Sequence, residues 1–213
     1  MSRIAVVGAT GPTGLLVVGE ALSRGHEVVA YVRNPRGIDA RPNLTIIEGQ
    51  LHQRAEFAQA LAGCEVVIST LGTHSLKERT FMSTHLPLVT NAMVDAGVSR
   101  LVLMSALGGG EVPAHTRGLN RLIFNFLSSV VFADRTRSES ALAKSGIAWA
   151  AVYPGFLSDG AAEVLQTADL TRVTKVSQER VPRANVAKVL VDLAEDSSSP
   201  GRRLAIAKSI STN

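Results

Sequence analysis

The sequence predicts a three-layer α/β fold, a doubly wound and mainly parallel sheet with helices on both faces. Three observations carry that expectation. Short runs rich in Val and Ile alternate with longer segments of helical period, the pattern of βαβ units. Glycines stand where helices should stop before the next strand, at Gly25, Gly63, Gly97 and Gly146. The 213 residues, 46% hydrophobic and 19% charged with eight prolines, suffice to bury a core and exclude wholesale disorder, so a single domain over 1–213 is expected.

Strands are expected at Arg3–Val7, Glu27–Val32, Leu44–Ile47, Glu65–Thr70, Arg100–Ser105, Ala148–Tyr153 and Arg203–Ala207, where the Val- and Ile-rich runs fall. Helices are expected between them, over 12–24, 54–62, 80–96, 117–144 and 185–195. Met82 and Met93 fit the apolar face of the third helix and, with Cys64, read as core. In the fourth, Leu119, Leu122, Ile123, Phe126, Leu127, Val130 and Val131 form a broad apolar stripe. That stripe fits packing on the sheet, with an oligomer interface or a pocket wall as the alternatives. The fifth helix is expected to open after Asn185, whose side-chain oxygen can cap the first free amides.

The strongest local signal is V-V-G-A-T-G-P-T-G, in which Gly8, Gly11 and Gly14 follow a strand and open a helix. Gly8 allows the tight turn, Gly11 lets the backbone approach a pyrophosphate, and Gly14 permits close packing of helix on strand. The pyrophosphate would sit at the helix N-terminus, with Thr10, Pro12 and Thr13 around it and the two hydroxyls as extra donors. A second strand follows about 20 residues later, which makes the pattern that of a Rossmann dinucleotide site. At the end of that strand the sequence reads Tyr31-Val32-Arg33-Asn34, with no Asp or Glu until Asp39. A carboxylate there would accept from the ribose of NAD, whereas Arg33 suits the 2′-phosphate of NADP(H). The alternative for Arg33 is a solvated strand-end charge, and Arg36 either assists or is exposed.

The net charge of +4 favours anionic small molecules. Arg33, Arg36, Arg41, Arg117, Arg121, Arg135 and Arg137 are scattered and aromatics are 4%, so no nucleic-acid surface is expected. No stretch of about 18 apolar residues suggests a membrane span. After the first residues, IAVVGATG is broken by glycine too early for a signal-peptide core. One cysteine excludes an internal disulfide or a Cys-based zinc cage and fits a cytoplasmic protein. His26, His52, His74, His85 and His115 contain no H-x-x-x-H pair, so no metal site is expected.

Taken together, GATGPTG, Val32-Arg33, STLGT at Ser69–Thr73, LVLMSALG at Leu101–Gly108 and SGIAWAAVYPGFLSDG at Ser145–Gly160 resemble the atypical short-chain dehydrogenase/reductases. The likeness is to their NAD(P)H-binding group, which includes flavin reductase (biliverdin reductase B) and the NmrA-like proteins, and it runs in order along nearly the whole chain. The resemblance implies that Leu71-Gly72-Thr73 runs beside the nicotinamide-side ribose and phosphate, and that Gln50 and Leu51 border the adenine. It also places Ser105 at the substrate face and Tyr153-Pro154-Gly155-Phe156 near the nicotinamide ring. Segments near 106–133 and 154–182 would cover the substrate. Departures from the family pattern are Gln50 for Asp, Phe156 for His, Tyr153 for Arg, and Asp134-Arg135 for Asp-Lys.

The superfamily's Tyr and Lys four residues apart are missing. Tyr31 is followed at that spacing by Pro35 and Tyr153 by Leu157. Ser105 has no G-x-S-x-G elbow around it, which argues against a serine hydrolase and leaves Ser105 an orienting role. His74, in the loop after the fourth strand, reads as a solvated loop residue or a catalytic one. The implied activity is an NADPH-dependent oxidoreductase passing hydride to a small conjugated acceptor such as a flavin or quinone, which needs little proton transfer from the protein. The competing reading is a non-catalytic NADP(H)-sensing regulator of the NmrA-like kind. A homo-oligomer is left open.

Overall fold

The computed structural model describes residues 1–73, 78–107, 133–177 and 179–213. The chain opens with β1 (Arg3–Val7), α1 (Pro12–Ser23), β2 (Glu27–Val32), β3 (Leu44–Glu48), α2 (Arg54–Leu61), β4 (Val66–Ser69), α3 (Phe81–Ala96) and β5 (Arg100–Met104). A helix over 133–142, here α4, leads into β6 (Ala148–Pro154), β7 (Leu157–Ser158), β8 (Gln166–Asp169), β9 (Val173–Val176) and β10 (Val181–Pro182). The chain finishes with α5 (Arg183–Glu195), β11 (Arg203–Ala207) and β12 (Ile210–Thr212).

Eight of the described strands form one sheet in the order β3-β2-β1-β4-β5-β6-β11-β8. Its pairings are parallel except β11 with β8. A strand buried on both faces must be apolar throughout, and β1 is. Ile4 and Val6 face a core shared with Val17, Val18 and Ala21 of α1 and with Val186, Leu190 and Val191 of α5. Ala5 and Val7 face a second core with Phe57 and Leu61 of α2, Leu86, Val89 and Met93 of α3, and Leu142 of α4. Strand order reverses between β1 and β4, which opens a crevice at their C-terminal ends.

The expected strands and helices are found within one or two residues wherever the structure describes them. Met82, Met93 and Cys64 are core residues. The four helix-ending glycines have φ between 72° and 81°. The apolar stripe from Leu119 to Val131 lies outside the described residues, as do His74, His115, Arg117, Arg121 and most of the segment 106–133. Strands β7, β8, β9, β10 and β12 were not anticipated, being two to four residues long and without a readable period.

Asn185 does not cap α5. The helix begins two residues earlier, after Pro182, and Asn185 lies inside its first turn. Its amide binds the backbone of Glu163 in both directions, Oδ1 accepting the Glu163 N–H (2.9 Å) and Nδ2 donating to the Glu163 carbonyl (2.7 Å). A pair of main-chain groups outside the helix outcompetes the free amides within it. The cap of α3 also comes from elsewhere, because Thr80 offers no side-chain bond. The buried carboxylate of Asp134 on α4 accepts the N–H of Met82 (2.7 Å), the N–H of Ser83 (3.2 Å) and the Ser83 hydroxyl. At the opposite end of the sheet Arg24 joins Glu20 of α1 to Asp192 and Glu195 of α5.

Asn185→Ala should cost about 2 kcal/mol in urea denaturation, through two lost hydrogen bonds, and should speed proteolysis within 159–165. Asp134→Ala should cost on the order of 2 kcal/mol, and Asp134→Asn less, since an amide oxygen still accepts from an α3 amide.

Candidate functional site

The turn after β1 has a different physical reason for each glycine. Gly8 has φ +83°, and a Cβ there would also lie 2.9 Å from the Thr70 hydroxyl and 3.1 Å from the Thr70 carbonyl carbon. That hydroxyl is shared between the Val7 and Gly8 carbonyls, at 3.2 and 3.1 Å, which ties the end of β4 to the end of β1. A Cβ on Gly14 would fall onto the Gly8 carbonyl and 2.8 Å from Ala9 Cα. Gly11 is unlike both. Its φ of −71° and ψ of 158° suit any residue, and a Cβ would meet a single protein atom within 4 Å, the Gly8 oxygen at 3.2 Å. Backbone conformation does not demand glycine at position 11, and apart from the close Gly8 oxygen the described residues leave its bare backbone open to approach from outside.

The helix that follows leaves its N-terminus available. Gly11 is the cap residue of α1 and supplies no side-chain bond, Pro12 begins the helix, and no acidic residue occupies the first turn. Unmet amides and the positive end of the helix dipole therefore face the turn, an arrangement suited to an anion. Thr10 is half-buried at the turn and Pro12 is exposed, whereas Thr13 is buried.

Arg33 follows the last residue of β2 and is exposed, as is Arg36, whose N–H is held by Asn34 Oδ1 at 3.0 Å. Neither makes an ion pair with the described residues. After β3 the backbone of Gln50 is fixed from both sides. Its N–H donates to Gln53 Oε1 (2.8 Å), and its carbonyl accepts the Tyr31 hydroxyl (3.2 Å). Tyr31 stacks on Phe57 with ring centres 4.4 Å apart. The Gln50 side chain is exposed and Leu51 packs against the second core.

The remaining candidates gather at the ends of β4, β5 and β6. Leu71, Gly72 and Thr73 follow β4 directly, with Gly72 exposed. The Ser105 N–H donates to the Val152 carbonyl and the Leu107 N–H to the Pro154 carbonyl, both at 2.8 Å, so bonding between the two strands continues past Met104. Ser105 is 3% exposed and its hydroxyl donates to Glu139 Oε1 at 2.5 Å. Tyr153 is fully buried and its hydroxyl donates to Glu139 Oε2 at 2.7 Å. Burial, then the charge and hydrogen bond of Glu139, push the Tyr153 phenol far above its ordinary value. Pro154 is buried, Gly155 half-buried, and Phe156 about half exposed at the rim.

Arg135 lies one helical turn before Glu139. Its Nη1 is sealed from solvent with no hydrogen-bond partner among the described residues, and its Nη2 is 3.8 Å from where a Cβ on Gly72 would stand. Burial holds this guanidinium below its ordinary value despite the opposing charges of Glu139 and Asp134. Sequence reasoning singled out Ser105, Tyr153 and Asp134-Arg135 but not Glu139. The available signal was the four-residue spacing of Arg135 and Glu139, which puts them on one helix face.

The sequence matches the NAD(P)H-binding family over residues 8–197. Among solved structures, a proposed NADH-flavin reductase from Streptococcus pneumoniae superposes with a TM-score of 0.78 at 24% identity, covering 98% of this chain and 100% of its own. An anaerobillin reductase from Escherichia coli O157:H7 superposes at 0.77 with 23% identity, covering 97% of each chain. These likenesses are in fold. A 3-beta-hydroxysteroid dehydrogenase from Mycolicibacterium neoaurum is 29% identical over 129 residues, 53% of this chain, and this match spans 35% of that protein's length. The family match begins at the first glycine of the β1–α1 turn and runs past the end of α5, and the chain belongs to the NAD(P)H-binding family.

Proposed function

We propose that this chain is an NADPH-dependent reductase serving a small conjugated acceptor such as a flavin or quinone. One observation carries the reading. The bare backbone of Gly11 stands at an uncapped helix N-terminus, a cradle that a side chain would fill and that a pyrophosphate fits. Thr10, Gly11 and the first turn of α1 hold the pyrophosphate, while Gln50 and Leu51 border the adenine. Arg33, exposed at the end of β2 with no ion pair among the described residues, supports NADPH over NADH. Leu71, Gly72 and Thr73 with Pro154, Gly155 and Phe156 border the nicotinamide end.

A bound NADPH supplies hydride. The chain's own groups orient the reactants and offer no strong acid. The Tyr153 phenol is held protonated against Glu139, so it does not release a proton near neutral pH. Ser105 is likewise committed to Glu139. An acceptor that delocalises its charge and takes its proton from water suits such a site. The names of the two structural neighbours, reductases of a flavin and of anaerobillin, support that class. A cytoplasmic setting suits the single, buried Cys64. The commitment of both hydroxyl protons also favours a second reading, a sensor of the NmrA-like kind that binds the cofactor and turns nothing over.

Titration calorimetry should show NADPH binding at least about tenfold tighter than NADH, or about 1.4 kcal/mol, with Arg33→Ala erasing the preference. A mutant that kept it would remove Arg33 from the phosphate site. Gly11→Val should abolish binding of both cofactors at only a small cost in melting temperature, the one close contact of its Cβ being the Gly8 oxygen at 3.2 Å.

Ser105→Ala should slow NADPH oxidation about 2- to 13-fold, the range for loss of one neutral hydrogen bond from Ser105 to the cofactor or acceptor, against about 100-fold or more for an acid–base catalyst. Anaerobic stopped-flow with FMN, riboflavin and quinones makes the measurement. Tight NADPH binding with no turnover of any acceptor would establish the sensor.

A further inference from the structure

We propose that Glu139 sets the hydrogen-bond polarity of the crevice floor, so that the site reads a planar amide with its N–H toward Ser105 and its C=O toward Arg135. The inference rests on the NADPH-reductase reading and deepens it. An ionised carboxylate only accepts hydrogen bonds, and both oxygens of Glu139 are already met by hydroxyl protons, from Ser105 and from Tyr153. A hydroxyl has one proton to give. Ser105 and Tyr153 have given theirs to Glu139, and what they retain are lone pairs. A group that meets Ser105 from the crevice must therefore bring a donor.

Arg135 imposes the opposite requirement. A guanidinium has donors and no acceptor, and its Nη1 is buried without a partner among the described residues. Leaving such a donor unmet is costly, so a group that meets it must bring an acceptor. Nη2 stands 3.8 Å from where a Cβ on Gly72 would lie, so the exposed backbone of Gly72 borders the guanidinium. The cation of Arg135 and the carboxylate of Glu139 offset each other, which suits a neutral ligand group. A carboxylate in that place would turn an oxygen to the lone pairs of Ser105. An acceptor oxygen beside an N–H in one neutral, planar group is an amide or imide.

Two sources have this chemistry, the carboxamide of the nicotinamide ring and the imide of an isoalloxazine ring. Calorimetric titration of the full chain separates them through two matched pairs. One is NADP+ against its 3-acetylpyridine analogue, in which a methyl replaces the amide NH2. The other is lumiflavin against 3-methyllumiflavin, which lacks the imide N–H. Wild type should bind the N–H-bearing member of one pair at least about fivefold more tightly, and that pair names the source. Glu139→Gln returns a proton to Ser105 through its amide, so discrimination should fall to about twofold or less. Tyr153→Phe leaves the Ser105–Glu139 bond in place and should keep it.

Equal binding within both pairs by wild type overturns the proposal, as does full discrimination by Glu139→Gln shown by circular dichroism to be folded. If Glu139→Gln does not fold, Ser105→Ala must show the same loss, and retained discrimination there overturns the proposal equally. Where wild type binds NADP+ but binds both members of each pair equally, this inference falls and the NADPH reading stands. Wild type that binds neither NADP+ nor its analogue overturns the NADPH reading and this inference with it.

Discussion

The close approach of α1 to the turn after β1 is the contact on which the rest of the molecule depends. Gly14 lies so near the Gly8 carbonyl that no side chain fits between them. With that space gone, α1 rests directly on the central strands, and α5 beside it completes the cover of one sheet face. A parallel sheet buried on both faces tolerates no gap in that cover, because its strands are apolar on both sides. The same approach aims the free amides of α1 at the mouth of the crevice. Thr70 completes the arrangement from the far side of the strand reversal, since its hydroxyl holds Gly8 where the helix can reach it. Packing and anion affinity thus have a common origin in two residues without side chains.

Much of this was legible in the sequence because it is local. A strand, a glycine turn and a helix occupy consecutive positions, and each glycine that ends a helix precedes its strand by a few residues. The seven apolar strands follow from Val and Ile runs that need both faces covered. The short strands β8 and β12 were not legible, because Gln166–Asp169 and Ile210–Thr212 are largely exposed and have no apolar alternation to read. Their pairing is decided by the neighbours that tertiary structure gives them. Asn185 shows the same limit at one residue. As a cap it is a fair reading of a helix start, yet the backbone of Glu163, distant in sequence, offered two bonds where a cap offers one.

The end of the site at β4, β5 and β6 was legible only in fragments. Ser105, Glu139 and Tyr153 come from three elements and are separated by 34 and 14 residues, so nothing in a local window joins them. What joins them is the cost of burying a carboxylate. Glu139 is 6% exposed and is tolerable there because two hydroxyls and a neighbouring guanidinium compensate it. The requirement runs both ways. The carboxylate fixes the hydroxyls as firmly as they stabilise it, and the one proton each hydroxyl carries is directed inward to Glu139. Asp134, in the same helix, answers a similar constraint differently by taking up the amides at the start of α3.

The clasp between Asn185 and Glu163 bears on how proteins of this architecture can diverge. The run between β7 and β8 is largely exposed, and it is held to the first turn of α5 twice, by the Arg183–Asp159 ion pair at 2.6 Å and by the Asn185 amide on the main chain of Glu163. A pin made to the backbone is indifferent to which side chain stands at position 163. The clasp therefore divides the run into two short spans, one on the β7 side and one on the β8 side, that can change in composition independently. An insertion in the first leaves the clasp and the pairing of β8 with β11 in place. An insertion in the second would shift β8 on the sheet edge and leave the clasp as it is.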